Sequence, residues 1–267
     1  MELVSLHPFD PSVARSYVQA VLGERPVPPE WQAWWNPALL RALSGAREGN
    51  ESAANQLTYG LGQALASEQP VFAHDGFGLT LWEARIDRGV GMLMRPPSRL
   101  FGEAGLDDVT ARAMPIRLDL QQGMMGGAYI PARLVPDFER LLDTRLERTA
   151  RRLHEGEYDV FAMLGLMLDA VAYARTHGFG LYEAMDIVGP SGEAPAGAAV
   201  VRADRKRIDP DVRARIELAI KPPKKPGLLS RLLGRTAPAN VDSATNGHAA
   251  SPHSTNGSAP SSADETR

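Results

Sequence analysis

The adjacent residues His74 and Asp75 have the side chains of a general base and of a carboxylate that orients it. An imidazole beside a carboxylate exchanges protons near neutral pH when both groups turn into one cleft. Adjacent side chains usually point apart, however, and Asp75-Gly76 is typical of a turn. The sequence therefore favours a turn at this position, with a catalytic pair as the alternative.

Asp169 is a second candidate carboxylate, because it interrupts the most apolar segment of the chain, residues 160–174. Helical spacing places it on one face with Gly165 and Tyr173, and this face is small and polar. Such a position favours a solvated carboxylate, or one packed against a neighbouring backbone. A buried functional carboxylate is the alternative interpretation.

No motif of a known catalytic, metal or cofactor site occurs in the 267 residues. The glycine-rich runs at residues 89–91 and 123–127 lack the spacing of a nucleotide-binding loop, so turns are the simpler interpretation. The absence of cysteine excludes thiolate nucleophiles and cysteine-ligated metals. We therefore assign no catalytic residue and expect no metal and no cofactor. An enzyme with an unrecognised site near His74, Asp75 and the glycine-rich middle region is the rival hypothesis.

Three tryptophans, Trp31, Trp34 and Trp35, are spaced to share one face of a predicted helix. Their rings carry a large apolar area, which a helix usually docks into the core. An exposed aromatic face is instead typical of a surface that binds another protein. The sequence favours core docking and leaves a partner-binding groove as the alternative.

The charges are distributed unevenly along the chain. Residues 1–201 hold 17 arginines and no lysine against 25 acidic residues, whereas residues 202–235 hold 11 basic residues against 4 acidic ones. A basic segment after an acidic body is typical of a contact with a polyanion or with a membrane surface.

Residues 226–235 are predicted to form a short basic amphipathic segment, with four leucines on one side of a two-turn helix. In and beside this segment, the candidate partner-binding residues are Lys224, Lys225, Leu228, Leu229, Arg231, Leu232 and Leu233. A solvated, charged linker is the simpler interpretation, because about two helical turns are only marginally stable in water. Nucleic acid is not an expected partner, since no aromatic residue is interleaved to stack on bases.

The elements predicted around these residues give an α+β fold. Helices are expected to begin near Asp10, Pro28, Pro37, Glu51, Leu106, Ala132, Asp159 and Asp209. Strands are expected at residues 79–84, 90–94 and 114–120, with a hairpin turn at residues 87–89. We therefore predict a mainly helical single domain over residues 1–221 with a small, mostly antiparallel central sheet. Residues 222–267 are predicted to be a disordered tail, because they hold too few large apolar side chains to offset the entropy of ordering.

The sequence as a whole favours a non-enzymatic soluble interaction protein, such as an adaptor, a scaffold or an immunity-type binder. The lack of cysteine and of a signal-peptide pattern favours the cytoplasm. No apolar run reaches the length of about 20 residues that spans a membrane. The expected partner is another protein, with peripheral membrane contact through the basic segment as a second alternative. The sequence does not fix the oligomeric state.

A truncation after Lys221 tests the membrane alternative. If the basic segment contacts anionic lipid, the full chain should co-sediment with phosphatidylserine vesicles and the truncated chain should not. The reason is that each basic residue near such a surface contributes about 1 kcal/mol. Neutral vesicles are the control, and equal sedimentation of the two chains would exclude the membrane role.

Overall fold

The structure, a computed structural model, describes residues 3–67, 69–75, 86–96, 99–116, 128–185, 188 and 198–221. The side chains of residues 3, 4, 74, 75 and 185 are not described. Contacts between Cα atoms group Met1–Lys221 into one unit. The predicted tail and its basic amphipathic segment lie outside the described residues and stay predictions.

The helices of the described part are α1 Pro11–Val21, α2 Ala38–Arg47, α3 Glu51–Ala66, α4 Arg88–Gly91, α5 Leu100–Glu103, α6 Asp108–Ala113, α7 Val135–Thr144, α8 Leu146–Glu155, α9 Val160–His177 and α10 Pro210–Ile220. The strands are β1 Leu3–Phe9, β2 Val71–Asp75, β3 Tyr129–Ile130, β4 Gly180–Met185 and β5 Val200–Arg202. Short 3-10 helices cover Pro29–Trp31, Ala132–Leu134 and Arg205–Arg207.

The five strands form one mixed sheet in the order β3-β4-β1-β2-β5. The central strand, β1, pairs antiparallel with β2 on one side and with β4 on the other, so Leu6 lies opposite both Phe72 and Glu183. β3 also pairs antiparallel with β4, whereas β5 pairs parallel with β2. The prediction of a mainly helical α+β fold with a small, mostly antiparallel central sheet is confirmed.

Both faces of this sheet are buried. Successive side chains of a strand point to opposite faces, so one strand contributes to two different apolar clusters. Leu6 and Phe72 belong to an apolar cluster that includes side chains of α7, α8 and α9. Phe9 and Ala73 belong to a second cluster, with side chains of α1, α2 and α3. α9 contacts β1, β2 and β4, and α3 contacts β1. A layer of helices therefore covers each face of the sheet.

Capping residues begin the helices where the sequence predicts them. At the start of α1 the carboxylate of Asp10 accepts the N–H of Ser12 at 2.9 Å, and at the start of α9 Asp159 accepts that of Ala162 at 3.0 Å. These oxygens satisfy N–H groups that have no partner within the helix. Gly178 ends α9 with a φ of 69°, a left-handed conformation that glycine adopts without steric cost. The predicted starts of α1 and α9 are thus confirmed.

The predicted hairpin turn at residues 87–89 and the strand at residues 90–94 are wrong. Arg88–Gly91 is the short helix α4, and Asp87 caps it by accepting the N–H groups of Gly89 at 2.8 Å and Val90 at 3.3 Å. An ion pair with Arg145, between α7 and α8, holds the Asp87 carboxylate in place. This distant contact selects a helical turn where the local pattern indicated a hairpin.

The five described strands of the sheet lie outside residues 79–120, the region in which strands were predicted. The predicted strand at residues 79–84 lies outside the described residues, and so do residues 117–120. Residues 114–116, the start of the third predicted strand, are not in a strand. Where a helix is expected to begin near Ala132, the chain forms the 3-10 helix Ala132–Leu134 and then α7 and α8. Arg145 separates these two helices, because it leaves the helical conformation with a φ of −108°.

Asp87 is the ionic centre of the contact between α4 and the pair α7–α8. Its side chain is only 1% exposed, and its Oδ1 lies 2.8 Å from a terminal guanidinium nitrogen of Arg145. The second oxygen lies 3.6 Å from Nε of Arg148, and Arg152 donates to the carbonyl of Ile86 at 3.0 Å. Removing one partner of such an ion pair lowers the free energy of unfolding, because the remaining charge stays buried without the attraction that offset the cost of its desolvation.

Replacing Asp87 with alanine should lower the free energy of unfolding by about 2 kcal/mol, since a helix cap and a buried ion pair are lost together. Urea denaturation of the full chain measures the change. Asp107→Ala is the matched control, because Asp107 caps α6 through the N–H groups of Val109 and Thr110 but is exposed. Equal losses in the two variants would show that the pair with Arg145 contributes nothing.

Candidate binding groove

Trp31 ends a 3-10 helix, Pro29–Trp31, and its carbonyl accepts the N–H groups of Trp34 at 3.1 Å and of Trp35 at 2.7 Å. The three tryptophans therefore lie on one side of a helical turn, as the spacing predicts, although no longer helix forms there. Trp31 is 1% exposed, and its ring centre lies 6.2 Å from that of Tyr17 on α1. Trp34 and Trp35 are half-buried, with ring centres 5.5 Å and 6.2 Å from Trp31. Trp31 therefore belongs to the core, while part of Trp34 and of Trp35 is open to solvent.

A groove of about 310 Å³ lies beside Trp34, between the start of α2 and one side of α3. The α3 residues that line it recur at intervals of three and four, and they therefore share one face of the helix. The side chains that bound this cavity, which we call the Trp34 groove, include Trp34, Asn36, Leu39, Gln56, Tyr59 and Gln63.

The packing of α3 against α1 positions the wall of the Trp34 groove. Tyr17 on α1 donates its hydroxyl to the carbonyl of Leu57 at 2.7 Å, and burial raises the pKa of this tyrosine above its usual value. A Cβ atom at Gly60 would clash with the Tyr17 hydroxyl and would lie 3.3 Å from the side chain of Leu39. Glycine at this position therefore permits the close approach of the two helices.

The lining of the Trp34 groove carries no charged side chain among the described residues. The amides of Gln56 and Gln63 and the hydroxyl of Tyr59 make no hydrogen bond to any other residue that the structure describes. Asn36 accepts the N–H of Ala38 with its Oδ1 at 2.9 Å, so its amide N–H groups are left for another acceptor. The groove thus combines aromatic and aliphatic surface with amide N–H and hydroxyl groups that have no acceptor among the described residues.

The candidate catalytic pair, His74 and Asp75, forms the last two positions of β2. His74 lies opposite Val4 in the register, and Val4 also lies opposite Met185, so the ends of β2 and β4 share one end of the sheet. The side chains of His74 and Asp75 are not described, and the catalytic alternative stays a prediction. One fully buried carboxylate near this end, Glu183 on β4, was missed because a single acid in a short strand gives no pattern.

The third catalytic candidate, Asp169, forms an ion pair with Arg207 at 3.3 Å and is about one-third exposed. Partial burial raises the pKa of Asp169; Arg207 opposes this shift and the nearby Asp204 adds to it. In the same contact the guanidinium of Arg205 lies 3.9 Å from the ring centre of Phe161. The ion pair of Asp169 joins α9 to the 3-10 helix Arg205–Arg207, and the alternative of a functional carboxylate stays a prediction.

Part of the basic region is engaged in contacts within the folded chain. Arg205 pairs with Glu217 at 2.7 Å. Arg215 joins α10 to α7 and α8, at 2.6 Å from Asp143 and 2.7 Å from Glu147, and this hydrogen bond holds the pKa of Glu147 below its usual range. The leucines and lysines at residues 224–233 lie outside the described residues, so their predicted contact with a partner is not tested.

A serine–histidine pair lies inside the sheet, on β1. Ser5 Oγ is 2.7 Å from Nε2 of His7, a distance that suits a nucleophile and its base. However, Ser5 is 0% and His7 1% exposed, and the His7 ring stacks on Tyr182 with centres 4.9 Å apart. Burial lowers the pKa of His7 to about 3, so its imidazole is neutral at pH 7. We interpret the pair as internal hydrogen bonding of a buried strand.

No metal-binding cluster of three or more His, Asp or Glu side chains occurs in the described part of the chain. No helix among the described residues is long and apolar enough to cross a membrane. In comparisons with known proteins, no family model, no curated protein and no solved structure matches the chain. The proposal of a function therefore depends on the geometry of the chain itself.

His7 should make stability depend on pH. Its pKa in the folded protein, about 3, lies below the ordinary value of 6.5, so the unfolded chain takes up a proton first as the pH falls. The stability associated with the neutral imidazole is present above pH 6.5 and is lost progressively between pH 6.5 and pH 3. Between pH 7 and pH 5 this loss amounts to about 2 kcal/mol.

Urea denaturation of His7→Gln at pH 7 and pH 5 measures this contribution. The variant should lose about 2 kcal/mol less than the wild-type protein between the two pH values, whatever its absolute stability. His154→Gln, which removes an exposed imidazole, controls for the loss of a histidine in general. If the free energy of unfolding of His7→Gln depends on pH as it does in the wild-type protein, His7 is not the cause of the pH dependence.

Proposed function

We propose that this protein is a non-enzymatic interaction protein that binds an uncharged segment of another protein in the Trp34 groove. The observation that supports the proposal is the lining of that groove: aromatic and aliphatic surface, three amide side chains and no charge among the described residues. Its volume of about 310 Å³ lies at the lower end of the range for ligand sites, about 300–1,000 Å³.

The chemistry of the lining favours a peptide over other classes of ligand. An amide side chain both donates and accepts hydrogen bonds, as a peptide group does, and therefore matches a peptide main chain. A phosphate group needs cationic partners, and the described lining supplies none. Exposed parts of Trp34 and Tyr59 provide apolar contact area at a low cost in conformational entropy.

The rival hypothesis, an enzyme that uses His74 and Asp75, stays a prediction, because their side chains are not described. We further propose a cytoplasmic location, which is consistent with a chain that has no cysteine. Contact of the basic segment with a membrane surface stays the second alternative.

Selection from a phage-displayed library of random peptides, with the full chain as bait, tests the proposal. The wild-type protein should enrich uncharged sequences. Gln63→Glu places an unpaired charge in the groove and should weaken binding of the enriched peptides at least about tenfold, or about 1.4 kcal/mol. Gln19→Glu makes the same change on α1, at a half-buried side chain outside the lining, and should have no effect.

Two results would overturn the proposed function. One is a library that yields no enriched sequence with the folded wild-type protein. The other is a set of enriched peptides that bind equally well to the wild-type protein and to Gln63→Glu. Circular dichroism of each variant confirms that the fold is retained.

A further inference from the structure

The Trp34 groove is short, and its length limits what it holds. Its wall on α3 runs from Gln56 to Gln63. Seven helical steps of about 1.5 Å give a length of about 10 Å. A polyproline II segment, at about 3.1 Å per residue, places about three residues along this length. A helix of the same length has only about two turns, too few to be stable in water before it binds.

The hydrogen-bonding groups of the groove distinguish between backbone conformations of the occupant. The N–H groups of Asn36, Gln56 and Gln63 and the hydroxyl of Tyr59 have no acceptor among the described residues. A helix satisfies its own carbonyls and offers few of them to such donors. A polyproline II segment has no internal hydrogen bonds, so its carbonyls project outward and are available.

Proline also fits the aromatic surface and the absence of charge. The ring of proline is apolar and has no N–H donor, so it can lie against Trp34 or Tyr59 without leaving an unsatisfied group. Its fixed φ means that little conformational entropy is lost on binding. The described lining offers no ion-pair partner, so charged residues in the bound stretch would be desolvated without compensation.

We propose that the Trp34 groove recognises an uncharged, proline-containing segment of about three residues in the polyproline II conformation. Proline rings contact Trp34 and Tyr59, and carbonyls of the segment accept hydrogen bonds from Gln56 and Gln63. This inference rests on the proposed function, because it names the class of peptide that the same groove binds.

Titration of the full chain with a ten-residue oligoproline, followed by NMR of ¹⁵N-labelled protein, tests the inference. The side-chain amide signals of Gln56 and Gln63 and the indole signal of Trp34 should shift in a saturable way. Trp34→Phe assigns the indole signal, and two uncharged peptides of equal length, one alanine-rich and one built of glycine and serine, are the controls. Both should bind at least about tenfold more weakly than oligoproline.

Two substitutions at Tyr59 separate the roles of its ring and its hydroxyl. Tyr59→Ala should weaken oligoproline binding by about tenfold or more, and Tyr59→Phe should restore most of it, because the ring supplies the contact area. Gln63→Ala should weaken binding about threefold to tenfold, as expected for one lost hydrogen bond. Gln19→Ala, on α1, should leave it unchanged.

The outcomes separate the inference from the proposed function. If library-selected peptides bind in the groove and oligoproline does not, the inference is overturned and the proposed function stands. If the alanine-rich peptide binds more strongly than oligoproline, the inference is likewise overturned and the proposed function stands. If neither the selected peptides nor oligoproline binds to the folded protein, both proposals fail.

Discussion

The pairing of β1 with β2 on one edge and with β4 on the other holds the two helical layers together. The pairing with β4 joins distant parts of the sequence, because Ser5 lies opposite Ala184, 179 residues further along the chain. β1 also contributes Leu6 to one apolar cluster and Phe9 to the other. Ser5 and His7 are buried because both faces of β1 are covered, and inside the sheet Ser5 Oγ pairs with Nε2 of His7.

The longer helices, such as α1 and α9, could be predicted from the sequence because their signals are local. Asp10, Asp159 and Gly178 act within a few residues of the helix end that each of them defines. The strands could not be placed, because β1 and β4 contain polar residues, such as His7 and Glu183, that obscure a regular alternation. Their pairing depends on residues far away along the chain, which a local pattern does not encode.

The error at α4 has the same physical origin. Asp87, Arg88 and Gly89 are residues typical of a hairpin turn, and a short apolar run, residues 90–94, follows them. The ion pair of Asp87 with Arg145 decides the conformation, and it joins residues that are 58 positions apart.

The candidate site could be predicted only in part. The three tryptophans were evident in the sequence. The amides of Gln56 and Gln63 were not, because they resemble ordinary solvent-facing residues of a helix, and only the folded structure places α2 beside them.

The central position of β1 has a consequence for how the protein folds during synthesis. β1 is made before the other described strands, yet one of its two edges receives no partner among them until β4, at residues 180–185, has left the ribosome. Until then the nascent chain presents an unpaired strand edge, the kind of surface on which chains aggregate. A topology with such long-range pairing folds slowly.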